Sequence, residues 1–517
     1  MTENYLNILA ETIRNNWDQP ALTDFYLTED GSAQDTSRGN HYTYGEMYAE
    51  LCRVANLLTS LGLKKGDHIA ICGANSAHWV IAYLAIAKMQ GVSVIVMHTL
   101  MPDEIARLVA FSNAKALFTD EDLWSELKSQ SVPQVGSVIS LEDWNVLFGK
   151  KQIINHKFEI INRECEFDPV PPDSLAMICF TSGTSGSAKG VMLSFRNISF
   201  CVSSVGNTFH ACNNRHAVAI LPLSHSFSLG YALVALVDSA NVFIPIIDKN
   251  LTGIITSIKI IQPYALGIIP QFLSVFLSCD DNKDYAFLDD IIVGGASLSL
   301  HSVKMLRAKG FPITCGYGTT ESTASISMVV HSQYRVGSSG KICDALSCRI
   351  SPEGEILVKG ENVMLGYYKD PEATASKIDS DGWLHTGDKG YLDEDGYLYV
   401  EGRLEQDIIV LPNGENIRPD NIESLINALP EVSESIVLAR DGKLVAIVVP
   451  SSESSESRET SETSETRASS PSSSLRRKIL RVVNPQLPLF SQLYDVEITD
   501  QPLARTEKQT LKRYLYK

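Results

Sequence analysis

From about residue 65 the chain alternates short β-branched runs with helical stretches: "HIAICGA", "AHWVIAYLAIAKMQG", "VSVIVMH", "MPDEIARLVAFSNA", "KALFTD". No other feature limits the fold as strongly. Apolar runs too short for helices, separated by helix-length segments, predict an α/β fold around a mainly parallel sheet. Similar units recur at "YALGIIP", at "DDIIVGG" with the helical "SLHSVKMLRAKG", and at "ITCGYG". After about residue 345 the texture changes to short strands joined by Gly, Asp and Asn turns, "GEILVKGENVMLGYY" and "GWLHTGDKGYLDEDGYLYVEGR", which predicts antiparallel β structure. "NIESLINALP", "SESIVLAR" and "KLVAIVVP" then predict a small α+β unit. At 517 residues the chain is too long for one ordinary core.

Residues 451–474, "SSESSESRETSETSETRASSPSSS", hold no aliphatic side chain larger than Ala and read as a disordered, solvated insert within the small unit. A formal charge of −17 argues against nucleic acid as a partner, because such binding rests on Lys and Arg contacts to phosphates. The ten cysteines show no CxxC spacing and read as buried free thiols of a reducing compartment, so the expected location is cytoplasmic. The N-terminus has no signal-peptide pattern, and "LGYALVALVDSANVFIPII", broken by Asp238 and Asn241, reads as buried helix and strand, not as a transmembrane span.

"FTSGTSGSAKG", Phe180–Gly190, follows the apolar run "SLAMICF". Glycine loses more freedom on ordering than any other residue, so such a loop implies close approach of backbone N–H groups to an anion, most often phosphate. It is not a Walker loop: Lys189 follows Ala188 and precedes Gly190, and the next residues, "VMLS", read as a returning strand. Three further segments carry chemistry. "LPLSHSF" sets His225 among apolar neighbours, "GYGTTES" brings Glu321 to the end of a strand, and "TGD" and "EGR" supply Asp388 and Arg403.

In this order and spacing the four segments resemble the adenylate-forming superfamily, from "TYGEM" near residue 43 to "KRYLYK", and "IIVLPNGENIRPDNIE" resembles its long-chain acyl-CoA synthetase branch. The resemblance implies a large adenylation domain of stacked α/β sheets with a β-rich subdomain (1–402), a hinge at 403–406, and a small mobile C-terminal domain (407–517). It further implies a two-step reaction. A carboxylate, preferably of a fatty acid, attacks the α-phosphorus of ATP, and a thiol, of coenzyme A or of a carrier protein, then displaces AMP. By resemblance, Thr181, Ser182, Gly183, Thr184, Ser185, Gly186 and Lys189 hold the pyrophosphate portion of ATP. Gly294, Gly295, Ala296, Gly316, Tyr317, Gly318, Thr319 and Thr320 surround the adenine and phosphates. Asp388 and Arg403 hold ribose or phosphate, Glu321 and Thr184 serve Mg²⁺, and His225 gates between nucleotide and acid.

Two positions depart from the family pattern. Glu405 stands at the hinge, where Asp or Lys is usual. In the tail "LARTEKQTLKRYLYK" the expected adenylation lysine is offset. One anchoring puts Thr510 in its place, another favours Lys508, and Lys512 lies near. A member that binds ATP or acyl groups and acts through interactions, without turnover, is the alternative that this offset leaves open.

Overall fold

The computed structural model describes residues 2–28, 34–35, 37–130, 135–149, 163–181, 188–208, 215–246, 251–295, 300–403, 409–451, 471–501, 503 and 516. The chain divides into two compact units, one built from Met1–His98, Pro102–Thr181 and Ala188–Leu404, the other chiefly from Glu405–Lys517.

The larger unit holds two big sheets. In the first, strands Val92–Ile95, His68–Cys72, Ala116–Thr119 and Ser137–Ser140 run parallel beside Leu175–Thr181, and antiparallel strands close both edges. The second has the order Ile313–Cys315, Asp290–Val293, Ala265–Ile268, His216–Val218, Asn241–Pro245, Pro20–Phe25, His41–Thr43, parallel throughout except for the last pair. A four-stranded antiparallel sheet follows in Ser347–Ile350, Glu355–Lys359, Leu384–Leu392 and Leu398–Arg403.

One helix shows how sequence fixes these layers. Ala77–Lys88 is apolar on every side, and a helix apolar all round must be covered all round. All residues from Ala77 to Ala87 are buried, in one core with Ile69 and Ile95 of the first sheet and Ala217 and Val242 of the second. The Ser76 hydroxyl starts the helix by accepting from the Trp79 N–H. Truncating the buried Trp79 to Ala would remove about 3–5 kcal/mol of stability.

The smaller unit has a three-stranded sheet, Val432–Arg440, Lys443–Pro450 and Asp495–Ile498, with helices Pro419–Asn427 and Pro471–Val483 closing its apolar core. Helix Pro471–Val483 corrects the boundary expected for the insert. Residues 471–474 form its first turn, where proline is tolerated because the N–H it lacks would have no partner there. Residues 452–470 lie outside the described residues.

Candidate functional site

The site assembles at the carboxyl ends of the second sheet's parallel strands, where open α/β sheets place their ligands. His225 follows strand His216–Val218, Gly294 and Gly295 follow Asp290–Val293, and Gly316 and Tyr317 follow Ile313–Cys315. Parallel pairing of Val293 with Cys315, and the Gly316 N–H donating to the Val293 carbonyl over 3.3 Å, put the last two turns side by side.

His225 caps the helix Ser226–Val237 from an extended backbone. Its ring reaches solvent, yet the protein mass around it penalises the charged form and lowers the imidazole pKa from the ordinary 6.5. The turn before it is tied down by Asn75, which accepts from the Leu223 N–H and donates to the Leu221 carbonyl, each over 2.8 Å. Ser228 donates to the same Leu221 carbonyl. Two residues past His225, the Phe227 ring stands 3.5 Å from where a Cβ on Gly294 would sit, so helix and glycine turn are in contact.

The "GYGTTES" segment folds back on itself. The Tyr317 carbonyl accepts from the Ile326 and Ser327 amides, and the Ala324 N–H donates to the Thr319 carbonyl. A Cβ on Gly318 would lie 2.2 Å from the carbonyl carbon of Ala324, so no larger residue fits. Thr323 and Ala324 are both left-handed, with φ of 53° and 57°, a conformation that disfavours a β-branched residue most. Thr323 is held there by its hydroxyl, which donates to the Asn362 carbonyl. Strain of this kind collects where a fold must aim a side chain. Glu321 lies on the short 3-10 turn Thr320–Ser322 just before these two residues.

The flanks of the glycine-rich loop are strands Leu175–Thr181 and Lys189–Ser194, antiparallel, with Thr181 opposite Lys189. The segment that follows the loop is therefore a returning strand and not a helix start, as the sequence implies. Strand Gly366–Tyr367 adds to the same edge, with Tyr367 opposite Val191. From there Tyr367 joins the two segments. Its hydroxyl donates to Glu321 Oε1 over 2.8 Å, and Lys189 Nζ sits 5.0 Å from its ring centre. Nearby, the Tyr317 hydroxyl donates to Asp388 Oδ2 over 2.6 Å, and Asp388 pairs with Arg403 across strands Leu384–Leu392 and Leu398–Arg403.

Contacts of Phe227 with Gly294, of Gly316 with Val293, and of Glu321 and Lys189 with Tyr367 thus link these segments, with the Tyr317–Asp388 hydrogen bond beside them. Ser182, Gly183, Thr184, Ser185, Gly186, Ala296, Glu405, Lys508 and Lys512 lie outside the described residues, and of Arg403 only the backbone is described. Sequence reasoning passed over Tyr367 and Asn75. "GYY" and "GANSAH" carry no local signal of a role, because each acts through residues far away in the chain.

Chemically, the arrangement suits a polyanion that carries a cation. A carboxylate oxygen is a hard donor, and Glu321 has one oxygen fixed by Tyr367. Among the described residues no group of three or more His, Cys, Asp or Glu side chains could hold a metal ion. Mg²⁺ fits such a site because it is commonly held by one or two carboxylates together with substrate phosphates.

Two family models match the chain, the AMP-binding enzyme over residues 9–368 and the AMP-binding enzyme C-terminal domain over residues 406–516. A 2-succinylbenzoate–CoA ligase of Bacillus licheniformis is 30% identical over 78% of this chain and 83% of its own length. A probable CoA ligase of Humulus lupulus is 27% identical over 78% of this chain and 77% of its own. Among solved structures, an o-succinylbenzoate CoA synthetase of Bacillus subtilis with a product analogue shares the fold at a TM-score of 0.78 and 24% identity, covering 99% of this chain and 97% of that one. Sequence matches that run through both units, on a shared fold, make this protein a member of the AMP-binding enzyme family.

Proposed function

We propose that the protein ligates an apolar carboxylic acid to coenzyme A through an acyl-adenylate, releasing pyrophosphate and AMP. The observation that carries this reading is the meeting of Lys189 and Glu321 on Tyr367, beside the Tyr317–Asp388 hydrogen bond. One cation, one metal-binding carboxylate and one ribose-binding carboxylate are what a magnesium-bound nucleotide needs along its length.

In this reading Thr181, Lys189 and the loop 182–186 hold the β- and γ-phosphates. Gly294–Ala296, Gly316–Thr320 and the Tyr317 ring accept the adenine and the adjoining phosphates, and Asp388 with Arg403 takes the ribose. Glu321, with Thr184, holds Mg²⁺, which when bound neutralises the phosphate charge. His225, neutral at pH 7, stands between nucleotide and acid without adding a charge that would draw the carboxylate away from phosphorus. The adenylation lysine is Lys508, on a small domain that moves about a hinge at 403–406. The protein's main contribution is alignment and electrostatic stabilisation, not covalent chemistry.

The helix Ser226–Val237, "SFSLGYALVALV", carries no charged side chain, and Phe227 and Tyr231 stand against Gly267. Such a wall suits an apolar acid, and the notion of a fatty acid rests on it. Relatives with CoA-ligase names take 4-coumarate and 2-succinylbenzoate, which brings ring-bearing acids into the same reading. Among the described residues nine cysteines are free and seven of these are buried, which supports a reducing, cytoplasmic setting.

The test is incubation of the purified chain with ATP, Mg²⁺, coenzyme A and a panel running from short- to long-chain fatty acids and aromatic acids. Mass spectrometry should find AMP and one acyl-CoA in equal amounts. Release of orthophosphate, or nucleotide turnover indifferent to the acid, would remove the reading.

A further inference from the structure

Lys189 and Glu321 carry opposite charges on neighbouring segments, yet no ion pair joins them among the described residues. Both reach Tyr367 instead, the ammonium over the ring and the carboxylate on the hydroxyl. Tyr367 is rigidly mounted. It is 6% exposed, its strand is paired to Lys189–Ser194, and its N–H donates to the Thr374 hydroxyl over 2.8 Å. Gly366 before it has φ of 135°, and a Cβ there would lie 2.6 Å from a Thr374 methyl, so the approach of these two segments requires glycine.

We infer that Tyr367 is a positioning residue that holds Lys189 and Glu321 apart and aimed, so that neither must leave the other when a metal–triphosphate arrives. The inference rests on the proposed nucleotide reading. A direct lysine–glutamate pair would satisfy both groups, and binding the nucleotide would then require breaking it. A ring offers the ammonium a weaker, face-on perch that it leaves readily. A phenolic hydroxyl fixes one carboxylate oxygen without neutralising its charge, and the second stays available to a cation.

The experiment measures two affinities in the full-length protein and its variants: Mn²⁺ for the ATP complex, by electron paramagnetic resonance, and ATP without metal, by calorimetry in a chelator. Thermal melts establish that each variant is folded. Tyr367→Phe keeps the ring and loses the hydroxyl. It should raise the half-saturating Mn²⁺ concentration about tenfold, the scale of a hydrogen bond to a charged group, and leave metal-free ATP binding at the parent value. Tyr367→Leu loses the ring as well and should weaken metal-free ATP binding too, on the order of tenfold, as Lys189 pairs with Glu321. Glu321→Gln should raise metal-free ATP affinity more in the Tyr367→Leu background than in the parent, which a purely structural role for the ring would not allow. Parent-like Mn²⁺ affinity in Tyr367→Phe, or a gain from Glu321→Gln no larger in the Tyr367→Leu background than in the parent, overturns the inference. A parent protein that binds no ATP with or without metal instead removes the nucleotide reading itself.

Discussion

The Tyr317 hydroxyl donates to Asp388 Oδ2 over 2.6 Å, across 71 positions of sequence, and so ties the end of strand Ile313–Cys315 to the antiparallel sheet. Asp388 is 6% exposed and its backbone N–H donates to the Thr386 hydroxyl, so the carboxylate has little freedom to turn. If it receives the ribose hydroxyls, Asp388→Ala should raise the KM for ATP about ten- to a hundredfold, with a smaller change in KM for the acid. Tyr317→Phe, which only frees the carboxylate, should have the weaker effect. Steady-state kinetics with each substrate varied checks both.

A second expectation concerns pH. Protein mass around the exposed His225 ring penalises its charged form and lowers its pKa from 6.5, so the ring is neutral at pH 7 and gains charge only on acidification. The adenylation rate should therefore be flat from about pH 8 to pH 7 and fall on an acid limb that begins below the ordinary histidine value. In His225→Asn that limb should disappear at a lower plateau rate. An unchanged acid limb in the variant would assign the titration to another group.

Asn75 gives a third. Its side chain makes two hydrogen bonds to the turn at Leu221 and Leu223 that precedes His225. Asn75→Ala should cost about 1–3 kcal/mol of stability by denaturant unfolding, and should lower kcat more than it raises the KM for ATP.

The turn carrying Glu321 supplies a fourth. Gly318→Ala places a methyl 2.2 Å from the Ala324 carbonyl carbon, and backbone cannot yield as a side-chain tip can. The expected loss is about 1–3 kcal/mol with activity lost beyond proportion, since Thr323 and Ala324 are already strained. Parallel unfolding and pyrophosphate-release assays would separate the two effects.

The α/β alternation from about residue 65 was legible because each strand and helix announces itself by local period. What local pattern could not disclose is pairing over distance. Strand Pro20–Phe25 lies parallel to Asn241–Pro245, and the parallel sheet begins well before the first alternation visible near residue 65. Helix Pro471–Val483 starts inside a serine run that reads as loop, because its apolar face, Ile479 and Val483, comes only later and is fixed by packing on the small sheet. At the site, Glu321, Lys189, Tyr317 and Asp388 were legible as motif residues. Tyr367 was not, since its role depends on an edge strand two residues long that joins the Lys189 strand.

On the proposed function, this site activates a carboxylate as its adenylate. Exchange of labelled pyrophosphate into ATP, run without coenzyme A, isolates that half-reaction. Exchange that appears only when a suitable acid is present, and collapses in Glu321→Gln, is the predicted result. Tight ATP binding without exchange for any acid would contradict the claim and leave a nucleotide-binding protein that does not turn over.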